Sequence, residues 1–89
     1  MSRQKGDIMR ASEKLLNLNS YYLVVFKDIH DNVCVHYEKC YVSDGCVLVG
    51  NTGRGANFEE ACEDYLRQIS GKTLVFDACT DKRNEVIVL

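Results

Sequence analysis

The stretch Asn57–Gly71, NFEEACEDYLRQISG, decides the fold because it carries the clearest helical pattern in the chain. Its apolar residues recur at spacings of three and four, as on one face of an amphipathic helix. They are Phe58, Ala61, Cys62, Tyr65, Leu66 and Ile69. Asn57 with Glu60 three positions later has the spacing of a capping box, and Gly71 is typical of a helix C-terminus. We assign the apolar face of this helix to the core.

Segments rich in β-branched and aromatic residues lie on both sides of this helix and predict strands. In chain order they are Tyr21–Lys27, Val33–Val42, Cys46–Val49, Lys72–Ala78 and Glu85–Leu89. A short amphipathic helix is predicted over Gly6–Leu18. The prediction is one α+β domain over residues 1–89, with an antiparallel sheet of about five strands and two helices in the order α-β-β-β-α-β-β. Alternation within the second strand places Val33, Val35, Tyr37 and Tyr41 on the core face.

Composition excludes some classes of function. Eleven Lys and Arg against thirteen Asp and Glu give a net charge of −2, so the basic surface expected of a direct nucleic-acid binder is missing. No apolar run approaches the roughly 18 residues of a membrane span, and the first residues lack the apolar stretch of a signal peptide. Five cysteines cannot all pair within one chain, which favours reduced thiols. We therefore expect a cytoplasmic protein that does not contact membranes.

Potential metal ligands concentrate around the second predicted strand. They are His30, Cys34, His36, Cys40 and Cys46. Successive residues on one face of a strand lie about 6.5–7 Å apart, which favours ordinary sheet residues over a zinc site. The chain also lacks a coherent set of nucleophile, base and orienting group. We predict no metal, no cofactor and no catalytic residues, so the protein is not expected to be an enzyme.

A glycine-rich turn, Gly50–Gly55, precedes the main helix. Backbone N–H groups at a helix N-terminus favour an anion, and an arginine adds charge. The predicted anion-binding residues are Gly53, Arg54, Gly55 and Asn57. The alternative is that the glycines serve turn geometry alone, since acidic residues already complement the positive end of the helix.

Acidic residues line the first turns of the same helix and form the second candidate site. They are Glu59, Glu60, Glu63 and Asp64, and this negative surface suits a basic surface on a partner protein. Tyr22 is added as an exposed aromatic anchor, because adjacent strand residues face opposite ways. The alternatives are helix capping and solubility for the acids, and cross-strand packing for the tyrosine.

Gly45–Ile69 resembles the strand–turn–helix segment of HicB-type antitoxins. The matching residues are Gly45, Cys46, Val47, Glu59, Glu60 and Ala61, whereas the turn is about five residues longer. Arg54–Phe76 is similar to small proteins of phages and prophages of Gram-positive bacteria. That resemblance implies a binder that inhibits or sequesters a host component, as anti-CRISPR and other anti-defence proteins do.

Two hypotheses of function follow. The first is a small non-catalytic binding protein that docks on a host protein, and the alternative is a sponge-like protein that binds a nucleotide or another small anion at Gly50–Asn57. We also predict a homodimer, because Tyr21–Phe26 and Val86–Leu89 are apolar candidate edges with little of the lysine or proline that blunts an edge. Cover by the first helix would instead leave a complete monomer.

Overall fold

A computed structural model describes residues 10–44 and 47–88, in which two helices pack with two antiparallel sheets. The helices are α1 (Ala11–Leu18) and α2 (Phe58–Ile69). The strands are β1 (Leu23–Lys27), β2 (Val33–Tyr37), β3 (Cys40–Asp44), β4 (Val47–Val49), β5 (Gly53–Gly55), β6 (Thr73–Phe76) and β7 (Asn84–Ile87). One sheet has the order β1-β2-β5 and the other β4-β3-β6-β7. The predicted α+β class is confirmed, with seven strands in two sheets instead of about five in one.

Helix α2 forms where its pattern predicts. Asn57 is the N-cap, and its Oδ1 accepts a hydrogen bond from the N–H of Glu60 at 2.9 Å. The residues that α2 buries are Ala61, Cys62, Tyr65 and Ile69. Phe58, predicted for the core face, is 36% exposed because it lies at the first position of the helix. Gly71 follows the helix with a φ of 76°, as its assignment to the C-terminus requires.

The predicted strand Val33–Val42 is wrong, because the chain turns at Glu38 and Lys39 and passes from one sheet to the other. Lys39 has a φ of 54°, a left-handed conformation that interrupts the strand. The turn also resets the alternation of faces. Tyr37 and Val42 are buried, whereas Tyr41, predicted for the core face, is 44% exposed.

The glycine-rich turn is also different from its prediction, because Gly53–Gly55 is a strand. Its glycines pair with Val33 and Val35 of β2, which gives the three-stranded sheet its second edge. Glycine is depleted in strands, so the sequence signal for a loop is strong here. The strand forms because its neighbours on β2 and α2 provide the pairing and the packing.

Within the described residues, one hydrophobic core joins both sheets and both helices. Tyr37 of β2 lies at its centre, with its ring 5.7 Å from that of Tyr65 and 5.5 Å from that of Phe76. The N–H of Tyr37 donates to the hydroxyl of Tyr65 at 3.1 Å, and its own hydroxyl donates to the carbonyl of Leu15. These bonds hold β2, α1 and α2 together, so the two helices are fixed relative to the sheets.

Some predicted segments fall partly outside the described residues. The predicted first helix is confirmed over Ala11–Leu18, while Gly6–Met9 is not described. Cys46 and Leu89, at the ends of two predicted strands, are likewise outside the described residues. The two segments predicted to be edge strands are confirmed as such, since β1 and β7 are outer strands of their sheets.

Candidate functional site

The outer edge of β5 is capped by side chains of α2. In an antiparallel pair, alternate residues direct their N–H and C=O groups to the partner strand. Gly53 and Gly55 face β2 in this way, so the groups of Thr52, Arg54 and Ala56 point outward. Three polar side chains of α2, one turn apart, bind them: Gln68 donates to the carbonyl of Thr52, Asp64 accepts from the N–H of Arg54, and Glu60 accepts from the N–H of Ala56. The bond lengths are 2.9, 3.0 and 3.1 Å.

Matching repeats make this cap possible. Two residues of a strand rise about 6.6 Å, and four residues of a helix rise about 6.0 Å. A side chain at every fourth position of α2 therefore reaches every second residue of an adjacent antiparallel strand. The four-residue spacing of Glu60, Asp64 and Gln68 is visible in the sequence. It predicts these hydrogen bonds only once β5 is known to be a strand beside α2.

The glycines of β5 allow the helix to lie close to the strand. A Cβ atom at Gly53 would lie 2.5 Å from the backbone nitrogen of Tyr65. One at Gly55 would lie 2.6 Å from the backbone nitrogen of Ala61. Since both neighbours are helix backbone, neither contact can be relieved by a side-chain rotation. The space that the sequence suggested for a phosphate is occupied by α2.

The predicted anion-binding residues are therefore in contact with other parts of the chain. The outward N–H of Arg54 already binds a carboxylate, and its Nε lies 3.7 Å from Oδ2 of Asp28. Asn57 is engaged as the helix cap. An anion at this site would have to displace Asp64 and Glu60 from their N–H donors. Binding of a nucleotide or another anion stays a prediction, tested by whether phosphate or a nucleotide panel raises the melting temperature.

The predicted acidic partner surface divides into three parts. Glu59 binds α1, since its carboxylate accepts from the hydroxyl of Ser12 at 2.6 Å and from the N–H of Ser12 at 3.2 Å. These hydrogen bonds hold the pKa of Glu59 below its ordinary value. Glu60 and Asp64 cap β5, and the N–H of Arg54 similarly lowers the pKa of Asp64. Glu63 is exposed and has no hydrogen-bond partner among residues 10–44 and 47–88.

Tyr22 is half-buried, and its hydroxyl donates to Oδ2 of Asp77 at 2.9 Å. This bond raises the pKa of the tyrosine. Its ring lies 5.6 Å from that of Phe76. Tyr22 thus connects the start of β1 with the end of β6. The adjacent Tyr21 is 92% exposed.

The cysteine and histidine residues do not form a metal centre within the described parts of the chain, where no group of three or more potential ligands comes together. Cys46 lies outside those residues. Burial raises the pKa of Cys40 to about 12 and that of Cys62 to about 11, so both are protonated at neutral pH and are poor nucleophiles.

The turn between β1 and β2 presents an exposed apolar side chain that the sequence analysis missed. Asp28 Oδ1 accepts from the N–H groups of His30 and Asn32 at 2.9 and 3.0 Å, and these bonds lower its pKa. Ile29 sits at the tip of this closed turn and is 95% exposed. The sequence did contain a signal for this exposed side chain. Ile29 lies between the polar residues Asp28 and His30 in a predicted turn, where a polar residue is normally found.

The outward edge of β1 lies next to Ile29. The carbonyl of Tyr22 accepts a bond from the N–H of Glu38, and the N–H of Asp28 donates to the carbonyl of Asn32. The even-numbered residues of this strand therefore face β2, and the N–H and C=O groups of Leu23, Val25 and Lys27 point outward. Val25 is 50% exposed, and Phe26, on the other face, is 43% exposed. The Phe26 ring packs edge-on against His36 at 5.8 Å, which holds it in place. The turn and this edge together form a surface that we call the hairpin surface, comprising Tyr21, Val25, Phe26 and Ile29.

The fold and its surfaces thus define a small α+β protein with two open antiparallel sheets. The chain matches no protein-family model, and searches of curated proteins and of solved structures found no significant match. Within the described residues, each helix is too short or too polar to cross a membrane.

Proposed function

We propose that the protein is a non-catalytic binding protein that inhibits or sequesters another protein by docking on it through the hairpin surface. The observation that carries this proposal is the 95% exposure of Ile29 on a turn closed by Asp28. Because Asp28 already holds the backbone of this turn, docking through Ile29 orders little additional backbone, so more of the burial of the side chain contributes to affinity. The docking site differs from the acidic helix face predicted from the sequence.

The adjacent edge suits an extended segment of the partner. Main-chain bonds to Leu23, Val25 and Lys27 would add a strand to the three-stranded sheet, while Phe26 and Tyr21 supply aromatic contacts of the kind enriched at interfaces. The proposal includes a host component as the partner, which the resemblance to phage proteins implies, and a cytoplasmic setting, which the odd number of cysteines favours.

The test begins with a partner captured from a host lysate and identified by mass spectrometry. Its affinity for the purified chain is then measured by calorimetry for the parent, for Ile29→Ser and for Glu63→Lys. We expect at least about a tenfold loss with Ile29→Ser, which corresponds to about 1.4 kcal/mol. Both positions are exposed, so both variants should fold like the parent.

The Glu63→Lys variant is the matched control because it changes the acidic helix face alone. A loss with Glu63→Lys and none with Ile29→Ser would assign docking to that face and overturn the hairpin surface. If neither variant loses affinity for a captured partner, both surfaces are excluded as the contact.

A further inference from the structure

The edge strand β7 exposes backbone groups in a pattern that fits an identical strand. The N–H of Val88 donates to the carbonyl of Lys72, so residues 84, 86 and 88 face β6. The N–H and C=O groups of Glu85 and Ile87 therefore point away from the sheet. They have no backbone partner in residues 10–44 or 47–88. Two such residues, about 6.6 Å apart, can exchange four hydrogen bonds with one added strand.

We infer that β7 pairs with β7 of a second copy of this chain, and that the resulting homodimer has one continuous eight-stranded antiparallel sheet. A twofold axis makes two identical strands antiparallel, so each edge is the complement of the other. With Val86 on the axis, Glu85 of each copy lies opposite Ile87 of the other, and both outward residues are paired.

Charge favours a second copy over a strongly charged partner. Glu85 is the one charged residue in β7, and its Oε2 lies 3.1 Å from Nη2 of Arg83 in the same chain. The edge is therefore close to neutral by itself, and the twofold axis brings no unpaired like charges together. A strongly basic or acidic partner would find no net charge here to pair with.

Apolar surface continues from this edge onto the helices. Ile87 is 65% exposed, and it lines a groove of about 320 Å³ with Leu15, Leu18 and Leu66. Strand pairing alone is a small contact, since stable interfaces bury about 800 Å² on each partner. The groove beside the strand adds apolar area, but we still expect a weak dimer whose population depends on concentration.

The other open edges fit a second copy less well. In β4, the N–H and C=O groups of Val47 and Val49 face β3, so Leu48 is the one strand residue whose groups face outward. The edge of β1 belongs to the hairpin surface and lies on the other sheet. The dimer and the proposed docking function can therefore fail independently.

The experiment is sedimentation equilibrium of the full chain between about 10 µM and 1 mM, the range in which a small interface dissociates. We expect the mass to rise from 10.1 kDa towards twice that value for the parent chain. Glu85→Pro removes an outward N–H that the fold does not use, so it should keep the mass of one chain at every concentration. Its control, Glu85→Gln, removes the charge, keeps the N–H and should behave like the parent.

Two further variants decide which edge is involved. Ile87→Lys, on an exposed side chain, should also abolish the rise in mass, whereas Val47→Lys on β4 should leave it unchanged. The inference is overturned if the parent stays at 10.1 kDa throughout, if Glu85→Pro and Ile87→Lys still dimerise, or if Val47→Lys abolishes the dimer.

Discussion

The strands β5 and β7 are both edge strands, but side chains of the same chain bind the outward backbone of β5 and leave that of β7 open. At β5, α2 supplies Glu60, Asp64 and Gln68 at matching intervals. At β7, Glu85 and Ile87 keep their outward N–H and C=O groups unpaired within residues 10–44 and 47–88. Glu59, Glu60 and Asp64, which resemble a binding surface in the sequence, therefore serve the fold. The available surface lies on the edges of β1 and β7, which α1 and α2 do not cap with side chains as α2 caps β5.

The first prediction concerns a substitution that disrupts the contact between α2 and β5. Gly53→Ala places a Cβ 2.5 Å from the backbone of Tyr65, so either the helix or the strand must move. We expect the free energy of unfolding to fall by about 3 kcal/mol or more, measured by urea denaturation. The control is Gly50→Ala, where no atom lies within 4 Å of the new Cβ. Equal stability of the two variants would mean that α2 does not pack against β5.

The second prediction concerns the bond by which α2 holds β2. Tyr65→Phe removes the hydroxyl that accepts a hydrogen bond from the N–H of Tyr37, and that N–H is buried. An unpaired buried donor costs about 1–3 kcal/mol, and we expect a loss of stability in that range. Tyr41→Phe removes the hydroxyl of a 44% exposed tyrosine and should change stability little. A similar effect of both changes in urea denaturation would argue against the buried bond.

The third prediction concerns the pH dependence of the bond between Asp64 and the N–H of Arg54. The N–H of Arg54 holds the pKa of Asp64 below its ordinary 3.8, so the folded chain binds this proton less readily than the unfolded chain. The resulting stability is present at neutral pH and is lost as pH falls below about 4 through the folded-state pKa. Asp64→Asn should lower stability by about 1 kcal/mol at pH 7 and by less at pH 3. The same difference at both pH values would exclude this cap.

The smallest effect is expected at an open edge. Val47→Lys changes a 61% exposed residue of β4, so the free energy of unfolding should change by less than about 0.5 kcal/mol. The measurement is urea denaturation at low micromolar protein. A loss above about 1 kcal/mol would show that the folded chain covers this residue, and the edge would then not be open.

Local patterns predicted most of the elements, because the positions of helices and strands depend on spacing within short segments. The apolar stripe and Asn57 cap of α2 are examples. The turn at Lys39 was missed because a lysine in the left-handed conformation has no sequence signature. The division into two sheets was missed for the same reason. Contacts between distant residues were also missed. Glu59 and Ser12 are 47 positions apart, so nothing local showed that this carboxylate was already bound.

The spacing of Glu60, Asp64 and Gln68 against β5 also restricts how the chain can be aligned during folding. If β5 slipped by one residue along β2, Arg54 would face the helix where Gly53 or Gly55 now lies, and its side chain would meet helix backbone. The slip would also turn the bound N–H groups of Arg54 and Ala56 away from their carboxylates. A strand of three residues makes too few hydrogen bonds to fix its own register against β2. The contacts with α2 therefore select a single register for β5.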